Sequence, residues 1–177
     1  MKSSWKHAAV LVAVAMTTMG STCISITDPL VVTLNVKDIK DTYDITPGTV
    51  NFNNPPRCIV RNPNDYLDAA YDVSGAHLVD ASVQTVGAFS GSVIGGAITV
   101  NGTTLATYSG PWSAFNTPQS ILTSSLLVRN AAGVTVLLDA IQNRQTLTIC
   151  DGGQFSSAAP AGLQVVTSIF AQVDVTP

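Results

Sequence analysis

The sequence predicts a mainly β protein, an antiparallel β-sandwich with one or two short inserted helices. Three observations lead there. Good helix formers are scarce: Glu is absent and all eleven acidic residues are Asp, whereas Val, Ile and Thr, which suit a pleated surface, are plentiful. Short runs of alternating hydrophobicity recur along the chain, separated by clusters of Gly, Pro, Asn and Asp. One such break, Asn101-Gly102 between Ile98-Thr99-Val100 and Thr103-Thr104-Leu105, has the form of a two-residue hairpin turn.

From the N-terminus, Lys2 and Lys6 precede an uncharged, mostly aliphatic run from Ala8 to Met16, and small and polar residues follow to Thr22. This is the layout of a secretory signal. The run is shorter than the ~20 apolar residues needed to span a bilayer. Residues 1–22 are therefore read as a cleaved export signal, 23–29 as a short tether and 30–177 as a single β-sandwich domain. Cleavage after Gly20 fits the small residues Thr18 and Gly20; cleavage before Cys23 is the alternative. The segment Gly20-Ser21-Thr22-Cys23 resembles the lipobox of bacterial lipoproteins, with Gly20 where Leu is usual and Thr22 where Gly or Ala is usual. That resemblance implies lipidation of Cys23 as the first mature residue.

The mature chain reads as follows. Leu30 to Val36 is a strand with Val32, Leu34 and Val36 on one face; Asp38 to Asp44 is a loop or strand edge, and Thr46-Pro47-Gly48 a turn. Arg57 to Arg61 is a short strand containing Cys58. Asn64 to Tyr71 can make two helical turns capped by Asn64. Ala76 to Val86 and the glycine-interrupted Phe89 to Ile94 are strands. The hairpin register sets Val100 opposite Thr103 and Ile98 opposite Leu105, and Gly110-Pro111 stops the second strand. Thr117-Pro118 has the form of an N-cap followed by a first-turn proline. A helix over Ala131 to Asn143 is indicated by Val134, Leu137, Leu138 and Ile141 at helical spacing, with Asn130 as cap. Gln145 to Cys150 is a strand closed by Asp151-Gly152-Gly153, and Leu163 to Val175 is one long strand.

Charge narrows the function. Charged residues make up 11% of the chain, against about 25% in an average protein. The net charge is −3 with no basic run, so nucleic acid, which needs clustered Lys and Arg, is not an expected partner. A surface this poor in charge has little self-repulsion and tolerates close neighbours.

Cys23, Cys58 and Cys150 are the three cysteines, an odd number for an exported chain. Lipidated Cys23 and a Cys58–Cys150 disulfide account for all of them, and oxidising compartments permit such a bond. His77 is the histidine of the mature chain, in the strand Ala76 to Asp80; with an Asp in the same pocket it could serve a small hydrolase. No G-x-S-x-G elbow accompanies it. Asp38, Asp41 and Asp44, spaced by three, offer hard oxygen ligands of the kind calcium takes, as do Asp65, Asp68 and Asp72, but neither group matches the EF-hand loop. Tyr108, Trp112 and Phe115 cluster around Gly110-Pro111, where exposed rings could stack on a sugar or anchor a partner. Asn101-Gly102-Thr103 is formally a glycosylation sequon, but the tight turn explains Asn-Gly without a glycan.

The expectation from sequence is an exported, non-catalytic protein of the bacterial periplasm, outer membrane or exterior. It has a binding or scaffolding role, needs no cofactor, meets a protein or glycan partner at the cell surface, and touches membrane through Cys23 alone. Two alternatives are a filament subunit assembling by exchange of the Leu30–Val36 strand, and a small hydrolase using His77 and an Asp.

Overall fold

The computed structural model describes residues 31–36, 39–52, 57–67 and 69–176. The expected signal, the tether with Cys23, Asp38 and Asp68 lie outside these residues. Among these residues ten strands and one α-helix follow in chain order: β1 Val32–Asn35, β2 Ile39–Asp44, β3 Arg57–Arg61, β4 Asp72–Val86, β5 Ser92–Val100, β6 Thr103–Pro111, β7 Gln119–Ser120, β8 Leu127–Arg129, α1 Ala131–Gln142, β9 Leu147–Gly152 and β10 Gln164–Thr176.

They form two antiparallel sheets. In the first, β10 is central; β1 and β2 lie end to end along one side of it, and β4 followed by β7 along the other. The second sheet has the order β3-β9-β5-β6-β8. From β2 onward the chain crosses between sheets at each step except the β5–β6 hairpin and the passage from the added strand β8 through α1 to β9. Two four-stranded blocks, β2-β10-β4-β7 and β3-β9-β5-β6, linked in this way are the strand order of a jelly roll. That order describes architecture and says nothing of activity.

The core lies between the sheets. Ala81, Val83, Val165, Ile169 and Val173 from the first sheet face Ile98, Leu105, Leu147 and Ile149 from the second, all at most 1% exposed. The helix fills space between them, touching β4 in one sheet and β6 in the other, with Leu137 and Ile141 inward. Its first turn passes so close to β6 that a Cβ at Gly133 would overlap the Thr104 carbonyl. The Asn130 side chain accepts a hydrogen bond from the Ala132 amide at 2.9 Å, as its capping role requires.

Several local expectations are corrected. At the hairpin, Asn101 and Gly102 both have positive φ, 48° and 80°, as a type I′ turn needs, and Val100 does oppose Thr103. A bulge then intervenes, so Ile98 opposes Ala106 and not Leu105. The segment expected as two helical turns is one 3-10 turn over Pro63–Asp65, capped by Asn62 and not Asn64. The carbonyl of Leu67, which a longer helix would use, is taken by the Arg144 guanidinium, which also holds Asn64 Oδ1 and the Tyr71 carbonyl. Thr117-Pro118 starts no helix: Gln119 and Ser120 pair with β4, and the helical turn sits upstream at Trp112–Phe115. Asp151 is not in a closing turn; β9 continues through Gly152, and Asp151 pairs with Arg57 and Ile98.

Candidate functional site

Cys58 and Cys150 are directly opposed on β3 and β9 and joined by a disulfide. The bond lies on a ladder already formed by five residue pairs. It closes a separation of 92 residues, for which chain entropy alone gives about 4–5 kcal/mol.

The aromatic trio does not form a stacking surface. Tyr108, Trp112 and Phe115 are 2%, 1% and 0% exposed. Tyr108 and Phe115 meet edge to face, and Trp112 does so with Phe89 and Phe155. The Trp112 indole N–H donates to the Gly87 carbonyl at 2.9 Å, so its polar atom is satisfied inside the fold. These rings plug one end of the core.

The acidic series is corrected by strand geometry. Asp41 and Asp44 lie on β2, where side chains alternate faces. A spacing of three therefore sends them to opposite faces: Asp41 shares its face with buried Ile39 and Tyr43, while Asp44 accepts a hydrogen bond from Gln164 on the outer side. They cannot close on one ion, and Asp38 is outside the described residues. Asp65 and Asp72 fall on separate elements.

His77 does meet a carboxylate. Its Nε2 lies 2.9 Å from Asp174 Oδ2 across β4 and β10, and the Thr33 hydroxyl of β1 donates to Asp174 Oδ1 at 2.7 Å. The Thr33 and His77 hydrogen bonds together hold the Asp174 carboxyl below the usual carboxylate range. The pair sits on the open outer face, with the His77 side chain 62% exposed. The neighbouring hydroxyl is committed to the carboxylate and not to the imidazole, so it is not poised as a nucleophile.

Two further arrangements emerge from the fold. The first is a polar cluster inside the sandwich. Asp151 of β9, Tyr108 of β6, Tyr43 of β2 and Thr167 of β10 point inward from four strands. Among the described residues their side-chain oxygens are buried without a hydrogen-bond partner of ordinary geometry. Desolvation pushes the Asp151 carboxyl up to about 7; the Thr167 hydroxyl pulls it down and the charge of Asp41 pushes it up. Burial raises both tyrosines. The signal was available in the alternation of Leu147, Ile149 and Asp151, which places all three on the core face.

The second is a groove of about 340 Å³ on the outer face of the first sheet. Its floor crosses four strands, because Lys40, Ser168, Ser82 and Ser120 are successive register partners on β2, β10, β4 and β7. Small hydroxyl side chains on three of them leave a trough. One wall is Phe170 beside Asp80 and the other is Val166 beside Gln84; the walls stand four residues apart on β10, about 13 Å. Asp80 is positioned by the Ser120 hydroxyl and the Ala81 amide, which donate to the same oxygen at 2.7 and 2.8 Å. The Gln84 amide donates to the Asn116 carbonyl at 3.1 Å. Sequence reading missed the groove because it is a property of register across four strands.

No family model matches the chain, and no curated protein matches it. A solved structure from Desmodium yellow mottle tymovirus aligns over 98% of this chain and 96% of that one, at 9% identity and a TM-score of 0.30, a loose likeness.

Proposed function

We propose that this chain is an exported, non-catalytic β-sandwich protein of the bacterial cell envelope or surface, with a binding or scaffolding role. The observation that carries the reading is the Cys58–Cys150 disulfide between neighbouring strands, since such bonds persist in oxidising compartments. The basic start and aliphatic run of residues 1–22 and the low-charge composition support the same reading. Cys23, next to the signal, is the proposed point of lipid attachment. A non-catalytic role is supported by the open setting of the His77–Asp174 pair and by the commitment of the Thr33 hydroxyl to Asp174. The test is a pull-down from intact envelopes with the full chain as bait. A specific partner recovered equally by the wild type and by His77→Ala supports the reading; hydrolytic turnover abolished by His77→Ala contradicts it.

A second reading, assembly by strand exchange, draws on one feature. β1 is an edge strand that holds β10 through four pairs and has mostly exposed side chains. In the structure it completes its own chain's sheet. Exchange would give that place to a neighbour's strand and would appear as concentration-dependent ladders resistant to denaturant.

A further inference from the structure

We propose that the groove across β2, β10, β4 and β7 is a binding site for a neutral, polyhydroxylated ligand, a glycan chain, with Phe170 as its stacking platform. The inference rests on the binding reading above and names its site and ligand class. Four observations carry it.

The groove has the size of a small-ligand site: 340 Å³ against roughly 300–1,000 Å³ for such sites. Its apolar and polar parts are also arranged for a sugar. Phe170 is a large aromatic side chain left 39% exposed at the wall of a groove otherwise lined largely by hydroxyl, amide and charged groups. A sugar ring presents a C–H face to such a ring and hydroxyls around its rim, so one ligand satisfies both.

The hydrogen-bonding groups are of both kinds and are held in place. Asp80 is fixed through one carboxylate oxygen by Ser120 and Ala81, and Gln84 is fixed through its amide nitrogen by Asn116. Their remaining oxygens are acceptors, while Lys40 donates from the far strand. Ser82, 8% exposed, sets its hydroxyl in the floor between Asp80 and Gln84.

Charge selects against the alternatives. Among the described residues the groove holds one cationic side chain, Lys40, and one anionic side chain, Asp80, on strands separated by β10. An anion would meet Asp80 and a cation Lys40, whereas a neutral ligand with donors and acceptors meets neither penalty. A protein partner would have to seat a narrow polar projection in the trough, which makes it an outcome of the test and not the expectation.

The experiment is calorimetric titration of the folded chain with cellotetraose, maltotetraose and mannotetraose, at low and high sodium chloride. Saturable binding of at least one of them is expected, with little dependence on salt, because no net charge is neutralised. Phe170→Ala should weaken it about tenfold, equivalent to about 1.4 kcal/mol. Ser168→Leu, which fills the trough from the solvent side, should abolish it while leaving the thermal transition in place. Ser82→Leu repeats that test from β4. The inference is overturned if none of the three sugars binds at millimolar concentration, or if binding survives both trough-filling changes. A protein partner captured from envelopes and unaffected by Ser168→Leu would overturn the glycan inference while leaving the binding reading intact.

Discussion

Replacing Asp151 by Asn should change how stability depends on pH. The Asp151 carboxyl is raised from 3.8 to about 7, with desolvation the largest cause. An acid whose pKa is higher in the folded than in the unfolded state favours folding while it stays protonated. Its contribution is fully present below pH 3.8 and is lost as pH rises through about 7. Between those values the folded chain holds one proton that the unfolded chain has released, so stability falls by about 1.4 kcal/mol per pH unit. Over roughly three units that amounts to about 4 kcal/mol. Asn has nearly the same shape, cannot ionise, and can still face the hydroxyls of Thr167, Tyr43 and Tyr108. Urea unfolding of the wild type and Asp151→Asn from pH 4 to pH 8 isolates the effect, since every other titrating group is common to both. The two proteins should be close in stability near pH 4, and the variant should lead by about 4 kcal/mol near pH 8. Parallel pH profiles would refute the reasoning, because they would mean that Asp151 is solvated or ionised in the folded state at all these pH values.

Two other substitutions and one measurement are equally direct. Gly133→Ala gains about 1 kcal/mol of helix propensity but forces a Cβ into the Thr104 carbonyl of β6. The close approach should win, and thermal unfolding should show a net loss of about 1–3 kcal/mol. His77→Ala removes an exposed contact to Asp174; denaturant titration should show a change within about 0.5 kcal/mol, and cellular phenotype should be retained. Mass spectrometry of the mature N-terminus should find an acylated Cys23; an unmodified N-terminus at Ser21 would leave the protein without the proposed anchor.

The elements legible in the sequence were those set by local chemistry. The Asn101-Gly102 turn, the Asn130-capped helix and the strands containing Cys58 and Val165 each announce themselves through a cap, a turn or a period. What was not legible depends on partners distant in sequence. The bulge that shifts Ile98 onto Ala106 is set by how β5 fits between β6 and β9. The Pro63–Asp65 turn stays short because Arg144, 77 residues away, takes the Leu67 carbonyl. Trp112 reads equally well as a surface anchor or a core plug until Gly87, Phe89 and Phe155 surround it. The groove is the extreme case: Lys40, Ser82, Ser120 and Ser168 carry no shared motif, and only register brings them into one row.

The most direct test of an exported, disulfide-braced sandwich is peptide mapping, without reduction, of the protein isolated from cells with its thiols blocked at lysis. The account predicts a peptide pair linked through Cys58 and Cys150, in the register that opposes β3 to β9. Blocked, unlinked thiols at both positions would contradict it, placing the chain in a reducing compartment and removing the observation on which its proposed function rests.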